Sequence, residues 1–210
     1  MRRVIRWLGL LLLTISFVWL VRFPAPTRPA STPRARQSHD ESSLLVVLDP
    51  GHGGEDSGAI CGTVLEKDLA LDVALRTDLL LRAAGFATAM TRTGDRYVSL
   101  AERASLGNQK EHSVFISIHF NDGERTTASG IETYYARQQS AGGSGFFAWL
   151  PFLQHAEIGS VAAQSENLAE CIQAALVEQT QAVNRGIKAE QFYVIANTRH
   201  PAALVEGGFI

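Results

Sequence analysis

The chain has 210 residues, of which 46% are hydrophobic, 19% charged and 8% aromatic. That length and mix suffice for one well-buried core and exclude collagen-like or wholly disordered classes. Charge is uneven: residues 1–43 carry seven arginines against Asp40 and Glu41, whereas residues 44–210 carry 12 basic and 19 acidic side chains. An acidic bulk argues against a surface that tracks nucleic-acid phosphates. The two cysteines, Cys61 and Cys171, make neither a disulfide framework nor a zinc cluster, so any metal must be held by histidines and carboxylates.

Met1 to Arg6 is basic, and Trp7 to Val21 is an apolar run of 15 residues broken only by Gly9, Thr14 and Ser16. A charged stretch followed by an apolar one has the shape of an export signal. At about 1.5 Å per residue the run spans roughly 22 Å, short for a transmembrane helix of about 20 residues. Ala25 and Ala30 would suit a cleavage site, but Phe23 and Arg28 occupy the positions three before the cuts. Residues 1–21 are thus expected to be a signal peptide or an uncleaved signal anchor, a hydrophobic helix outside the domain. Either form implies export, to the periplasm or the cell-wall side, with attachment to the cytoplasmic membrane if the segment is retained. Residues 22–43 hold four prolines and several Ser, Thr and Arg, the composition of an extended linker. The folded domain is expected from Leu44 to Ile210.

Leu44 to Leu48 is a short apolar run closed by Asp49-Pro50-Gly51, which predicts a strand buried on both faces. From Glu66 to Ala84, Leu69, Val73, Leu80 and Ala84 recur at helical spacing before Gly85. Phe86 to Met90 reads as a strand, and Ser99-Leu-Ala-Glu102 as a capping box opening a helix to about Gln109. Ser113 to His119 alternates, with Val114, Ile116 and Ile118 on one face and Phe115, Ser117 and His119 on the other. Gly130 to Tyr135 predicts a further strand. Leu168, Ile172 and Leu176 mark a helix ending before Gly186, and Phe192 to Ile195 and Ala202 to Glu206 read as the last strands. Strands alternating with helices predict a three-layer α/β domain: a twisted, mostly parallel or mixed sheet with helices on both faces.

His52, His119 and Glu206 fall at the carboxyl ends of three of these strands, the edge where open α/β sheets bind ligands. His52 stands in Asp-Pro-Gly-His-Gly-Gly, where glycines let the backbone turn sharply. Two imidazoles and one carboxylate make a zinc donor set with a fourth position left for water, and Glu66, opening the helix after the His52 loop, is the candidate carboxylate. Each residue has a plainer alternative: a hydrogen-bonded loop histidine, a Glu66 that complements the helix dipole, a Glu206 on a solvated strand edge. His112 and His200 read as surface or strand-end residues, and Cys61 as a small loop residue.

The blocks VVLDPGHGGEDSGA, Glu66-Lys67-Asp68, TRTGDRYVSLAERASLGN, VFISIHFND, SGIETYY, NRGIK and PAALVEGGFI resemble, in order, those of zinc-dependent N-acetylmuramoyl-L-alanine amidases of type 3, cell-wall hydrolases. The resemblance implies hydrolysis of the amide between N-acetylmuramic acid and the first L-alanine of the peptidoglycan stem peptide. It makes His52, Glu66 and His119 ligands of one zinc ion and Glu206 the catalytic carboxylate. Two rivals share the fold: a zinc peptidase acting on stem-peptide bonds, and a non-catalytic peptidoglycan-binding or regulatory protein. With an acidic domain, positioning of the anionic wall is expected to depend on groove shape. The family pattern continues with a final helix past the GFI block, at which this chain stops. The match also breaks at residues 137–163, where Phe146, Phe147, Trp149, Leu150, Phe152 and Leu153 follow a glycine-rich stretch. In some amidases an insertion here covers the zinc until a partner removes it, so an activator protein acting on this segment is one expectation, with His155 or Glu157 reaching the metal. A groove wall or a loop touching the membrane is the other, because Pro151 would interrupt a long blocking helix.

Overall fold

The computed structural model describes residues 44–109, 111–123, 127–139 and 151–210, with 151–159 as backbone only. The expected signal segment, the linker and the apolar cluster at 146–150 lie outside the described residues. No helix among the described residues is long and apolar enough to cross a membrane.

In chain order the elements are β1 (Leu45–Pro50), a short hairpin of β2 (Ile60–Cys61) and β3 (Val64–Leu65), α1 (Glu66–Ala83), β4 (Ala87–Met90), α2 (Leu100–Gly107), β5 (Ser113–Asn121), β6 (Ile131–Tyr135), α3 (Pro151–Thr180), β7 (Asn184–Ala189), α4 (Tyr193–Ala196) and β8 (Ala202–Phe209). Six strands form one sheet in the order β4-β1-β5-β8-β6-β7. β4, β1, β5 and β8 run parallel, while β6 is antiparallel to β8 and parallel to β7. The carboxyl ends of β1, β5 and β8 therefore meet the starts of β6 and β7 at one edge.

Period-two alternation divides the core between the two faces. Val46, Leu48 and Ile118 pack with Ala74 of α1 on one face, and Tyr135 and Ala203 pack with Ala169 of α3. Phe115 pairs with Ala202 and Ile116 with Ala203, so these two clusters share a face. Val47, Phe115, Ala202 and Leu204 point the other way, against Val194 and Ile195 of α4, with α2 beside α4. Helices thus cover both faces, as expected. Each large side chain buried this way contributes about 1.5–3 kcal/mol.

Three elements differ from expectation. The helical spacing of Leu69, Val73 and Leu80 does not mark the buried face of α1. Glu66, Ala70 and Ala74 are buried instead, and Leu80 is 72% exposed. Alanines allow the helix to lie close to the sheet, which leaves the larger residues outside. Phe192 to Ile195 is not a strand, because Tyr193–Ala196 forms one helical turn. Asn184–Ala189 forms the edge strand β7, where the sequence predicts none. The capping box at Ser99 and Glu102 is present in full.

Candidate metal centre

β1 delivers the chain to Gly51 and His52 at the ligand-binding edge. The Gly51 N–H donates to Ile118 O at 2.9 Å, extending the β1–β5 ladder one residue past the strand. A Cβ at Gly51 would lie 2.4 Å from His119 Cε1, so only glycine lets this backbone pass the imidazole. His52 itself adopts a left-handed backbone, φ 56°, which few side chains tolerate and which turns its ring back over the strand end.

Two buried arginines that the sequence reading did not single out hold this loop from beneath. Arg92 donates to Pro50 O at 3.0 Å and, through Nη2, to Gly51 O and Lys67 O, each at 2.7 Å. Arg103 donates to Pro50 O and His52 O, each at 2.6 Å, and to the buried Asp49 Oδ1 at 2.8 Å. Asp49 is further bonded by Thr91 and Ser117. These contacts satisfy carbonyls that a turn at a strand end would otherwise leave buried and unpaired. Both arginines lie in the TRTGDRYVSLAERASLGN block, whose density of arginines in a partly apolar stretch was the available signal.

His52, Glu66 and His119 converge, with one ligand atom from each within 4.8 Å of the others. Glu66 is the first residue of α1, so its charge also complements the helix N-terminus, and the plainer reading of it holds alongside the functional one. Its Oε1 lies 2.8 Å from His119 Nδ1, 3.1 Å from His52 Nε2 and 3.1 Å from the Phe120 N–H, while Oε2 accepts from the Ala59 N–H at 2.9 Å. Burial opposes ionisation of Glu66, yet hydrogen bonds from His119, His52 and Ala59 hold its carboxyl far below the usual carboxylate range. His52 Nδ1 donates to Asp56 Oδ2 at 2.9 Å, an orienting partner not foreseen from the sequence although it stands four residues on in the same loop. With that proton committed, Nε2 can meet the Glu66 oxygen only if the ring is protonated or a cation lies between them. Burial alone would lower the His52 pKa, but Glu66 and Asp56 raise it overall. The cluster therefore calls for added positive charge, and its donors are those of a zinc site.

Glu206 lies one strand over. In the register His119 pairs with Glu206 on β8, and Glu206 pairs with Glu132 on β6, so the three share a face. Glu206 Oε2 is buried without a hydrogen-bond partner among the described residues. Burial, with the nearby charges of Glu66 and Glu132, pushes its carboxyl up to about 8 against a smaller opposing pull from His52. A cavity of about 380 Å³ opens beside the cluster, lined by His52, Tyr97, Arg103, His119, Phe192 and Leu204 among others. Glu132, also missed in the sequence, is buried and saturated. Its Oε1 accepts from Asn121 and Tyr134, and its Oε2 from Arg185 and Lys188. Cys61 and His112 stand exposed and away from these contacts, and the side chains of His155 and Glu157 lie outside the described residues.

The family model for N-acetylmuramoyl-L-alanine amidases matches residues 46–210. The chain is 35% identical over 165 residues to the N-acetylmuramoyl-L-alanine amidase LytC of Bacillus subtilis, spanning 79% of this chain but only 29% of that protein. It is 29% identical to the germination-specific N-acetylmuramoyl-L-alanine amidase of the same organism over all of this chain and 84% of the relative. Among solved structures, the N-acetylmuramoyl-L-alanine amidase of Clostridium difficile 630 superposes with a TM-score of 0.65 at 32% identity, over 80% of each chain. The CwlD amidase of Clostridioides difficile, solved in complex with the GerS lipoprotein, gives 0.62 at 25% identity over 79% of this chain and 82% of that one. By the extent of the matched model and the shared fold, this chain belongs to the N-acetylmuramoyl-L-alanine amidase family.

Proposed function

We propose that the domain hydrolyses the amide between N-acetylmuramic acid and L-alanine in peptidoglycan, with one zinc ion on His52, Glu66 and His119 and with Glu206 as the catalytic carboxylate. The observation that carries this is the convergence of two imidazoles and a carboxylate one strand from Glu206, half-buried with its Oε2 sealed from solvent and unpartnered among the described residues. Zinc held there supplies a Lewis acid that polarises the amide carbonyl and acidifies a water. Asp56 and the Arg92–Arg103 clamp keep the His52 ring and its loop in place. Glu206 takes the proton of the attacking water and passes it to the amide nitrogen as the carbon–nitrogen bond breaks. A carboxyl raised toward neutrality suits both halves of that transfer. Residues 1–21 would deliver the domain across the cytoplasmic membrane, to the periplasm or the cell-wall side, and residues 22–43 would give it reach.

Digestion of purified peptidoglycan, with and without a chelator, tests the assignment. Mass spectrometry should show stem peptides with a free L-alanine amino terminus, lost on chelation and restored by zinc. Cuts within the stem peptide would make the protein a zinc peptidase, and wall binding without any cut would make it a non-catalytic binder.

A further inference from the structure

We infer that Arg185 and Lys188 on the edge strand β7 form a subsite for a carboxylate of the stem peptide, set across the sheet from the metal centre. The inference rests on the amidase reading above and extends it to the substrate side of the groove.

The domain is acidic, yet this corner of the active edge is not. Arg185 and Lys188 both contact Oε2 of Glu132, so two cations share one anion. Glu132 is 4% exposed, whereas the two basic side chains are 38% and 40% exposed. The anion is therefore sunk beneath two partners whose side chains stay partly exposed. Among the described residues Arg185 bonds Glu132 through Nε alone, which leaves its two terminal amino groups without a protein partner. Those groups are the fork that binds a carboxylate in two-point fashion. Neither cation bonds Glu206 among the described residues, so the surplus charge is not spent on the catalytic carboxylate. Both side chains are also braced: the Arg185 guanidinium lies over the Phe209 ring at 4.9 Å and the Lys188 ammonium over the Tyr134 ring at 5.5 Å. A plain counter-ion for Glu132 would need one cation and no such bracing.

Position supports the same assignment. Glu206 and Glu132 share a face, and Lys188 pairs with Tyr134, two residues along from Glu132 and thus on that face too. Two strand steps of about 4.8 Å separate β8 from β7, so the β7 backbone stands on the order of 10 Å from the backbone of Glu206. An extended peptide covers about 3.5 Å per residue, which brings the second or third stem residue to β7. The second is a D-glutamate joined through its side chain, with a free α-carboxylate. The third, where it is diaminopimelate, carries another. The lactyl and sugar side of the bond has no charge to offer, so the cationic side of the edge takes the peptide.

The test uses the full chain loaded with zinc and three muramoyl tripeptides: the free acid, one amidated at the second residue and one amidated at the third. The wild type should show kcat/KM at least about tenfold higher for the free acid than for one of the two amides, carried in KM, as expected for a hydrogen bond to a charged group. Which amide loses identifies the carboxylate that binds. In Arg185→Gln and in Lys188→Gln the acid-to-amide ratio should fall toward one, whatever common factor lowers all three rates. Arg185→Lys, which keeps Glu132 neutralised, should retain part of the ratio. Equal kcat/KM for all three substrates in the wild type overturns the inference without recourse to any variant. So does a wild-type ratio preserved in both glutamine variants, because the cations would then serve Glu132 only. If the wild type releases no alanine-terminated peptide from any substrate, the hydrolase reading fails. Calorimetric binding of the free acid tripeptide against its amides then decides the carboxylate site by itself.

Discussion

Gly51→Ala isolates the contribution of backbone placement to the metal centre. The new Cβ would stand 2.4 Å from His119 Cε1, 2.6 Å from Nε2 and 2.7 Å from Nδ1. Ordinary contact needs about 3.5 Å, so the ring or the backbone must move by about 1 Å. The backbone is the stiffer partner, because Gly51 N donates to Ile118 O and Gly51 O accepts from the buried Arg92. The imidazole must therefore move, and its 2.8 Å approach to Glu66 opens beyond hydrogen-bond range. Zinc sites tolerate errors of about 0.2 Å in ligand position, so zinc affinity should fall by about 10–100-fold or more. Activity should fall about 100-fold, and overpacking should remove about 1–3 kcal/mol of stability. Gly62→Ala is the control: its Cβ meets nothing within 4 Å, although its φ of 59° leaves a local backbone cost. That variant should keep wild-type zinc affinity. Competition against a chromophoric chelator, with kcat/KM measured at saturating zinc, reads both effects. A Gly51→Ala protein with wild-type zinc affinity and turnover would refute the argument that this glycine is required by the imidazole.

Glu206→Gln keeps the shape of the side chain but cannot accept a proton, so a zinc-loaded variant should turn over on the order of 100-fold more slowly or worse; near-normal kcat would remove Glu206 from proton transfer. Arg103→Met removes one partner of the buried pair with Asp49 and releases two carbonyls of the His52 loop, which should cost about 3–5 kcal/mol by chemical denaturation and weaken zinc binding in parallel. Burial on its own would raise the Glu132 carboxyl, but Lys188, Arg185, Tyr134 and Asn121 overcome it and hold it at about 2. A depressed folded pKa gives stability that is complete above the unfolded value, near 4.5, and lost as pH falls through 2. Denaturation midpoints should therefore drop between about pH 4.5 and 2 in the wild type, with a shallower slope in Glu132→Gln; parallel slopes would show that Glu132 does not carry the acid sensitivity.

Much of the scaffold was readable because hydrophobic alternation fixes strand faces. The run Leu44 to Leu48 and the alternation from Ser113 to His119 led to the strands that carry the centre. The capping box at Ser99 and Glu102 announced α2. β7 was missed because Asn-Arg-Gly-Ile-Lys-Ala is polar and half exposed, as an edge strand can be, and shows no buried run. The turn at Tyr193–Ala196 looked like a strand because a short apolar run has no period of its own. At the site, His52, His119 and Glu206 were legible from their positions at strand ends and Glu66 from its place opening the helix after the His52 loop, whereas Asp56, Arg92, Arg103 and Glu132 were not. Asp56 stands only four residues from His52, but the roles of the other three depend on partners far away in sequence, up to 56 residues in the case of Glu132 and Lys188, and no local pattern reports such pairs.

The location of Glu206 connects the core to the chemistry. A buried carboxylate oxygen without a partner costs about 1–3 kcal/mol, and a free chain would turn it out to water. It stays because Ala202 and Leu204, on the same face of β8, are locked against Val47, Phe115 and Ile195. A slip of one residue would send Glu206 to the face covered by α1 and α3, and would take Ala202 and Leu204 out of their contacts with Val47, Phe115 and Ile195. The core residues of β8 outweigh the cost of one unpartnered oxygen, and the register they impose also sets Glu206 beside His119 and opposite Glu132. The raised carboxyl is thus a consequence of packing several residues away, and substitutions at Ala202 or Leu204 that loosen the strand would lower it, altering the proposed proton transfer without touching a candidate ligand.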